Sequence, residues 1–152
     1  MRLLVLSNES TGAGTSAPTV ITDGVPLQRA VLGQDIGQGF TEDVDEMEAL
    51  VEAVVSAGTT GTVDYVRLYG WSPDAISANK WFPIGGGPAA DTGKLNSDAT
   101  TAYKFEETGT DIIRHAERIR GLREFTRIYA QYGALTNVTR LDVTLSSRGP
   151  VR

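Results

Sequence analysis

The stretch EALVEAVVSAGTTGTVDYVRLYGW, residues 48–71, decides the fold, because its first half admits two readings. As a helix, it would be capped by Asp43 with Glu46 three residues on. Met47, Leu50, Val51 and Val54 would share one face, and Gly58 would close it. As a strand, Ala49, Val51, Ala53, Val55 and Ala57 alternate with Leu50, Glu52, Val54 and Ser56, and the alternation runs straight into GTTGT. Beyond that turn Val63, Tyr65, Arg67, Tyr69 and Trp71 alternate with Asp64, Val66, Leu68 and Gly70, a run rich in β-branched and aromatic residues. Two such runs joined by a short Gly/Thr turn form a hairpin at little loop-closure cost. Intrinsic helix propensities differ among ordinary residues by only about 0.7 kcal/mol each, so a paired neighbour overrides them. The reading is therefore a β-hairpin.

The pattern repeats outward. Toward the N-terminus, RLLVL (2–6) is a short strand and SNESTGAGTSAP (7–18) a small, polar segment read as a flexible arm. PTVITDG is a strand candidate ending in an Asp23-Gly24 turn, VPLQRAVLG (25–33) another, and GQDIGQGF a glycine-punctuated loop. Toward the C-terminus, Ser72-Pro73-Asp74 starts a turn. NKWFPI (79–84) is an aromatic strand whose Pro83 favours an end or an edge. A polar loop (85–101) and a strand candidate AYKFEE (102–107) follow. TDIIRHAERIRGL (110–122) fits helix or strand, with Gly121 limiting any helix. EFTRIYAQY (124–132) alternates, as does VTRLDVTL, where Thr139, Leu141, Val143 and Leu145 face away from Val138, Arg140, Asp142 and Thr144. Seven to nine short antiparallel strands predict an all-β, jelly-roll-like β-sandwich. The expected organisation is a strand and arm over 1–18, a sandwich over 19–147 and a tail over 148–152.

Composition narrows the function. The 152 residues carry a net charge of −5 and an isoelectric point near 4.8, which argues against nucleic-acid binding. No apolar run approaches the roughly 20 residues of a bilayer span, so no membrane partner is expected. The N-terminal apolar stretch is too brief for a signal peptide. Cysteine is absent, which excludes disulfides and thiolate metal sites.

The candidate sites are few. PIGGGPAADTGKL fails as a phosphate loop, with Pro88 where the first Gly belongs and Leu95 where a magnesium-binding hydroxyl belongs. Glu42, Asp43, Asp45, Glu46 and Glu48 are an acidic run without calcium-loop spacing, so no metal or cofactor is expected. His115 is the only histidine and lacks companions for a metal site or a triad. Around it, Arg114, Arg118, Arg120 and Arg123 form a basic cluster. They either pair within the chain, with Asp111, Glu117 and Glu124, or present a cationic patch to an acidic patch of a neighbouring subunit. Trp71, Trp81, Phe82, Tyr65 and Tyr69 suit a core, an interface anchor or a sugar-stacking platform.

The succession VSAGTTGTVDYVRLYGWSPD…NKWFPIGGG, then EFTRIYAQYGALTNVTRLDVTLSS, resembles small β-sandwich virion proteins of tailed bacteriophages, the capsid decoration or cement proteins. The likeness covers roughly residues 40–147 and is one of hairpin length and aromatic strand composition. It implies a non-enzymatic protein on the capsid surface that binds the major capsid protein and copies of itself, as a homotrimer, and clamps the shell. Arg114, Arg118, Arg120, Arg123, Trp71 and Trp81 are the expected interface residues. A carbohydrate-binding module of a phage tail or adhesin is the alternative.

Overall fold

The structure, a computed structural model, describes residues 2–8, 13–27, 47–84, 105–109 and 111–146. These form eleven strands and two short 3₁₀ turns, Ile21–Asp23 and Leu122–Glu124, with no α-helix among the described residues. The strands are β1 (Arg2–Asn8), β2 (Val25–Pro26), β3 (Met47–Val55), β4 (Thr59–Val63), β5 (Val66–Trp71) and β6 (Trp81–Ile84). They continue with β7 (Phe105–Gly109), β8 (Ile112–Ile119), β9 (Arg127–Tyr132), β10 (Leu135–Thr136) and β11 (Val138–Ser146).

The ambiguous stretch is a strand. Met47, Ala49, Val51, Ala53 and Val55 are buried, while Glu48, Leu50, Glu52 and Val54 face out. A helix would have put Leu50 and Val54 with Met47 and Val51; period two separates them. The hairpin, however, does not form. Both edges of β3 are already taken, by β11 on one side and β8 on the other. The chain instead turns at Ser56–Gly58, where Gly58 has φ 73°, and the expected second arm splits in two. β4 joins a small sheet ordered β10-β4-β7, and β5 joins a sheet ordered β2-β9-β5-β6.

The split falls at Asp64–Tyr65, beside a matching bend at Gly133. Gly133 N–H donates to the Tyr65 carbonyl at 2.9 Å, and a Cβ on Gly133 would meet Asp64 Cβ at 2.7 Å. Two paired strands thus turn a corner together, which needs a residue without a side chain at the inside of the bend.

The remaining large sheet is ordered β1-β11-β3-β8, and every pairing among the described strands is antiparallel. Partners nest: β5 with β6, β4 with β7, β3 with β8, β2 with β9 and β1 with β11. Successive strands therefore pass back and forth between the two four-stranded sheets, and the buried faces of both sheets meet in one core, a β-sandwich. Its fully buried side chains include Met47, Val51, Leu68, Ile119, Leu122, Ile128, Leu141 and Leu145. Each contributes about 1.5–3 kcal/mol relative to exposure.

Other expectations change in detail. TVITD is not a strand: Ile21–Asp23 is a 3₁₀ turn whose Asp23 carboxylate accepts from the Thr19 and Val20 amides at 2.8 and 3.0 Å. This local bonding offers the backbone an alternative to a ladder. Within 110–122 the described residues form strand β8 rather than an α-helix, and Leu122 opens a 3₁₀ turn. In β11 a register shift between Val138 and Arg140 turns Val138 inward, so strict alternation misassigns it to the polar face. Edge strand β6 carries Pro83, as its sequence implied. Residues 28–46, which include Asp43 and most of the acidic run, lie outside the described residues, as do 85–104 with the glycine loop, the tail 148–152 and the Arg123 side chain.

Candidate interaction surfaces

Each large sheet has an outer face, and the two differ. On the β2-β9-β5-β6 sheet, alternation sends Arg127, Tyr129 and Gln131 of β9 outward, with Arg67, Tyr69 and Trp71 of β5 and Trp81 of β6. These side chains hold the chain's own N-terminal segment by its carbonyls. Gln131 Nε2 donates to the Thr15 carbonyl at 3.1 Å, Tyr129 Oη to Ser16 at 3.0 Å, Trp81 Nε1 to Val20 at 3.2 Å, and Arg127 to Gly24 at 2.7 Å. The Thr15 amide donates to the Tyr132 carbonyl, and the Tyr132 amide to Thr15 Oγ1, so both ends of the segment are fixed. Tyr69 Oη bonds Gln131 Oε1 at 2.9 Å and sets the orientation of that amide. Residues 15–24 are a strap across this face, with Thr15 and Ser16 held by hydrogen bonds where the sequence suggested a loose arm. Two backbone amides hold the Asp23 carboxyl below its ordinary range.

The strap also accounts for Trp81. Its indole lies beneath Gly24, where a Cβ would approach Trp81 Cη2 to 2.5 Å, and its ring centroid is 6.2 Å from that of Tyr129. Trp81 is therefore buried at 6% exposure, in keeping with the core reading of these aromatics, while Trp71 is half-buried. Arg67 stacks its guanidinium 4.8 Å above the Tyr65 ring.

Of the basic cluster, Arg114 and Arg118 stand on β8 at the edge of the other large sheet and Arg120 just past its end, in a different sheet from the tryptophans, while Arg123 lies in the Leu122–Glu124 turn that leads into β9. The outer face of the β1-β11-β3-β8 sheet is laid out by register. One row across the strands is Leu4, Thr144, Leu50 and Ala116, and the next is Ser7, Asp142, Glu52 and Arg114. On the far side of the apolar row stand Ser146, Glu48 and Arg118; beyond Glu52 and Arg114 come Arg140, Val54 and Ile112.

Arg114 Nε pairs with Glu52 at 2.9 Å, across the ladder rather than with the sequence-local carboxylates. Arg140 Nε lies 3.1 Å from Asp142, which also accepts from Ser7 Oγ at 2.8 Å. Exposed Leu4, Val54 and Ile112 sit among these charges. A shallow groove of about 310 Å³ between β3 and β8 is lined by Leu50, Val51, Glu52, Arg114, His115 and Ala116.

His115 points to the inner side of β8, its Nε2 lying 3.1 Å from Glu117 Oε1. Among the described residues no group of three or more His, Asp or Glu side chains could hold a metal ion, and no helix is long and apolar enough to cross a membrane. Sequence reasoning missed the strap: its holding groups bind backbone carbonyls, which leave no trace in side-chain identity. Comparison with protein-family models, with curated proteins and with solved structures found no match to this chain.

Proposed function

We propose that the chain is a jelly-roll virion protein of the capsid decoration type, binding the outer shell of a phage head together with copies of itself and acting by adhesion rather than catalysis. The observation that carries this reading is the nested strand pairing. Strands β1, β11, β3 and β8 in one sheet and β2, β9, β5 and β6 in the other follow the order that two interlocked Greek keys produce. That architecture is shared by viral capsid and lectin domains. Support also comes from the broad outer face of the β1-β11-β3-β8 sheet, where charges are arranged in rows with apolar side chains between them. Such a surface suits docking onto a protein shell.

Purified protein added to heads stripped of accessory proteins, from the virus whose genome carries this chain, tests the reading. Regular density on the outer shell by electron cryomicroscopy is the expected result. No binding, together with absence of the chain from the mass spectrum of purified particles, refutes it. The carbohydrate-binding alternative draws on the same architecture and on half-buried Tyr69 and Trp71, two residues apart on the outer side of β5. It predicts a glycan-dependent change in tryptophan fluorescence that Trp71→Ala removes.

A further inference from the structure

The outer face of the β3–β8 pair is complementary to itself, and we propose that a second copy of this chain docks there through a two-fold contact. Along β3 the outward residues are Glu48, Leu50, Glu52 and Val54; directly opposite them on β8 stand Arg118, Ala116, Arg114 and Ile112. One column is acidic and bulky-aliphatic; the other is basic, with small Ala116 and bulky Ile112 as its apolar members. A two-fold axis parallel to the strands, running between β3 and β8, exchanges the columns without moving the rows. Glu48 then faces Arg118 of the second copy, Leu50 faces Ala116, Glu52 faces Arg114, and Val54 faces Ile112.

Every row is thus matched in charge or in apolarity. The large Leu50 meets the small Ala116 at the groove between the strands, which has about 310 Å³ to receive it. Aligned face-to-face packing of this kind is an ordinary way for two sheets to meet. An isologous contact places each patch against its own copy, so it closes at two subunits and cannot propagate.

The charges are arranged to tolerate the contact. Arg114 and Glu52 already pair within one copy at 2.9 Å and are 68% and 46% exposed. Bringing in the second pair makes a ring of four alternating charges, which gains more than an isolated surface pair does. Size sets the strength. Because β8 is the edge of its sheet, only β3 and β8 overlap their copies. Two strands about 4.8 Å apart and rows spanning about 20 Å give a contact of roughly 200 Å² per copy. That is about a quarter of what each partner brings to a standard interface of ~800 Å² per side. Association is therefore expected to be weak, at about 0.5–3 mM, strengthening wherever copies are held side by side.

This inference rests on sheet register and not on the capsid reading, and its test uses the purified chain alone. Sedimentation equilibrium of the wild-type protein is expected to show a monomer–dimer equilibrium in that range. Glu52→Arg sets arginine against Arg114 of the other copy, and Arg114→Glu sets glutamate against Glu52. Each variant alone is expected to associate at least tenfold more weakly. Mixing the two restores complementarity in every contact. The arginine introduced in one variant meets the glutamate introduced in the other, and the native Arg114 of the first meets the native Glu52 of the second. A heterodimer of wild-type affinity is therefore expected. Both positions are exposed, and an unchanged far-ultraviolet spectrum checks that each variant is folded. If either variant does not fold, Leu50→Lys, which removes the apolar match at the centre, replaces it and is expected to abolish the dimer. A wild-type chain that stays monomeric to about 3 mM overturns the proposal. So does a trimer indifferent to these substitutions, or a mixture that associates no better than its components.

Discussion

Val51 and Val54 lie three residues apart in β3, and truncating each to alanine measures which way the chain runs there. Val51 is 1% exposed and Val54 36% exposed. Removing two methyl groups from a buried valine forfeits about 1.6 kcal/mol of transfer free energy, at ~0.8 kcal/mol each. The space left, about 50 Å³, adds up to ~1.2 kcal/mol where neighbours cannot close in. Around Val51, Ile113 and Val143 on the flanking strands are themselves almost fully buried, so collapse is limited. Val51→Ala is expected to cost about 2–3 kcal/mol.

At Val54 water fills the vacated space, so the cavity contribution vanishes and about 0.5–1 kcal/mol remains. The loss of β-propensity is common to both and cancels in the difference, which is at least about 1 kcal/mol. A helix over this stretch would put both valines on one buried face and make the two costs equal. Urea unfolding with matched m-values, at a single low protein concentration, reads the difference directly. Equal losses, or a larger one at Val54, would refute the assignment of β3 as a strand with Val51 inward.

A Cβ on Gly70 would lie 2.4 Å from Cγ of Phe125, so Gly70→Ala is expected to cost about 1–3 kcal/mol and much less in a Phe125→Ala background. A thermal-denaturation double-mutant cycle showing additive losses would remove that contact from the account. Tyr129→Phe breaks the bond to the Ser16 carbonyl and is expected to speed exchange of the Thr15 amide well before global unfolding; unchanged exchange there would mean the strap is held by other means. Because Asp23 has its pKa lowered by the Thr19 and Val20 amides, its contribution is present above the unfolded-state value of 3.8 and fades as pH falls through the lower folded-state value. Amide shifts of Thr19 and Val20 should follow that titration in the wild type and lose it in Asp23→Asn.

The alternation of β3 and β5 was legible because each has one face in the core, and period two leaves a direct mark on the sequence, whereas β8, with only Ile113 and Ile119 buried, fits helix or strand alike. Pairing was not legible. Residues 58–62 look like a hairpin turn whichever strands flank β3, and the ladder edges of β3 are filled by β8 and β11, more than fifty residues away. The inward turn of Val138 depends on one extra residue in a ladder, which no count of apolar positions reveals. Arg114, Arg118 and Arg120 are exposed, and the partner of Arg114 is not one of the nearby carboxylates but Glu52, which only the register brings to it. The separation of Trp81 from those arginines likewise follows from topology: β6 and β8 end up in different sheets.

The two outer faces together give the sandwich a polarity that bears on any role in assembly. The connection from β1 to β2 runs from one large sheet to the other, sheets ordinarily about 10 Å apart, a gap that three or four extended residues can span. It uses the residues between Asn8 and Val25 instead and lays ten of them across the β2-β9-β5-β6 sheet, where Gln131, Tyr129, Trp81 and Arg127 satisfy its carbonyls. That face offers a partner mostly the exposed side chains of the strap. The opposite sheet keeps Leu4, Val54 and Ile112 in contact with water, alongside carboxylates and guanidinium groups set in facing columns. The strap leaves Val20 and Ile21 exposed as well, so what sets the open face apart is that its apolar side chains stand beside facing columns of opposite charge. A shell, a glycan or a second copy would therefore leave different marks: protection from exchange on β3 and β8 for a partner at the open face, and on the Thr19–Asp23 turn for one that approaches the strap.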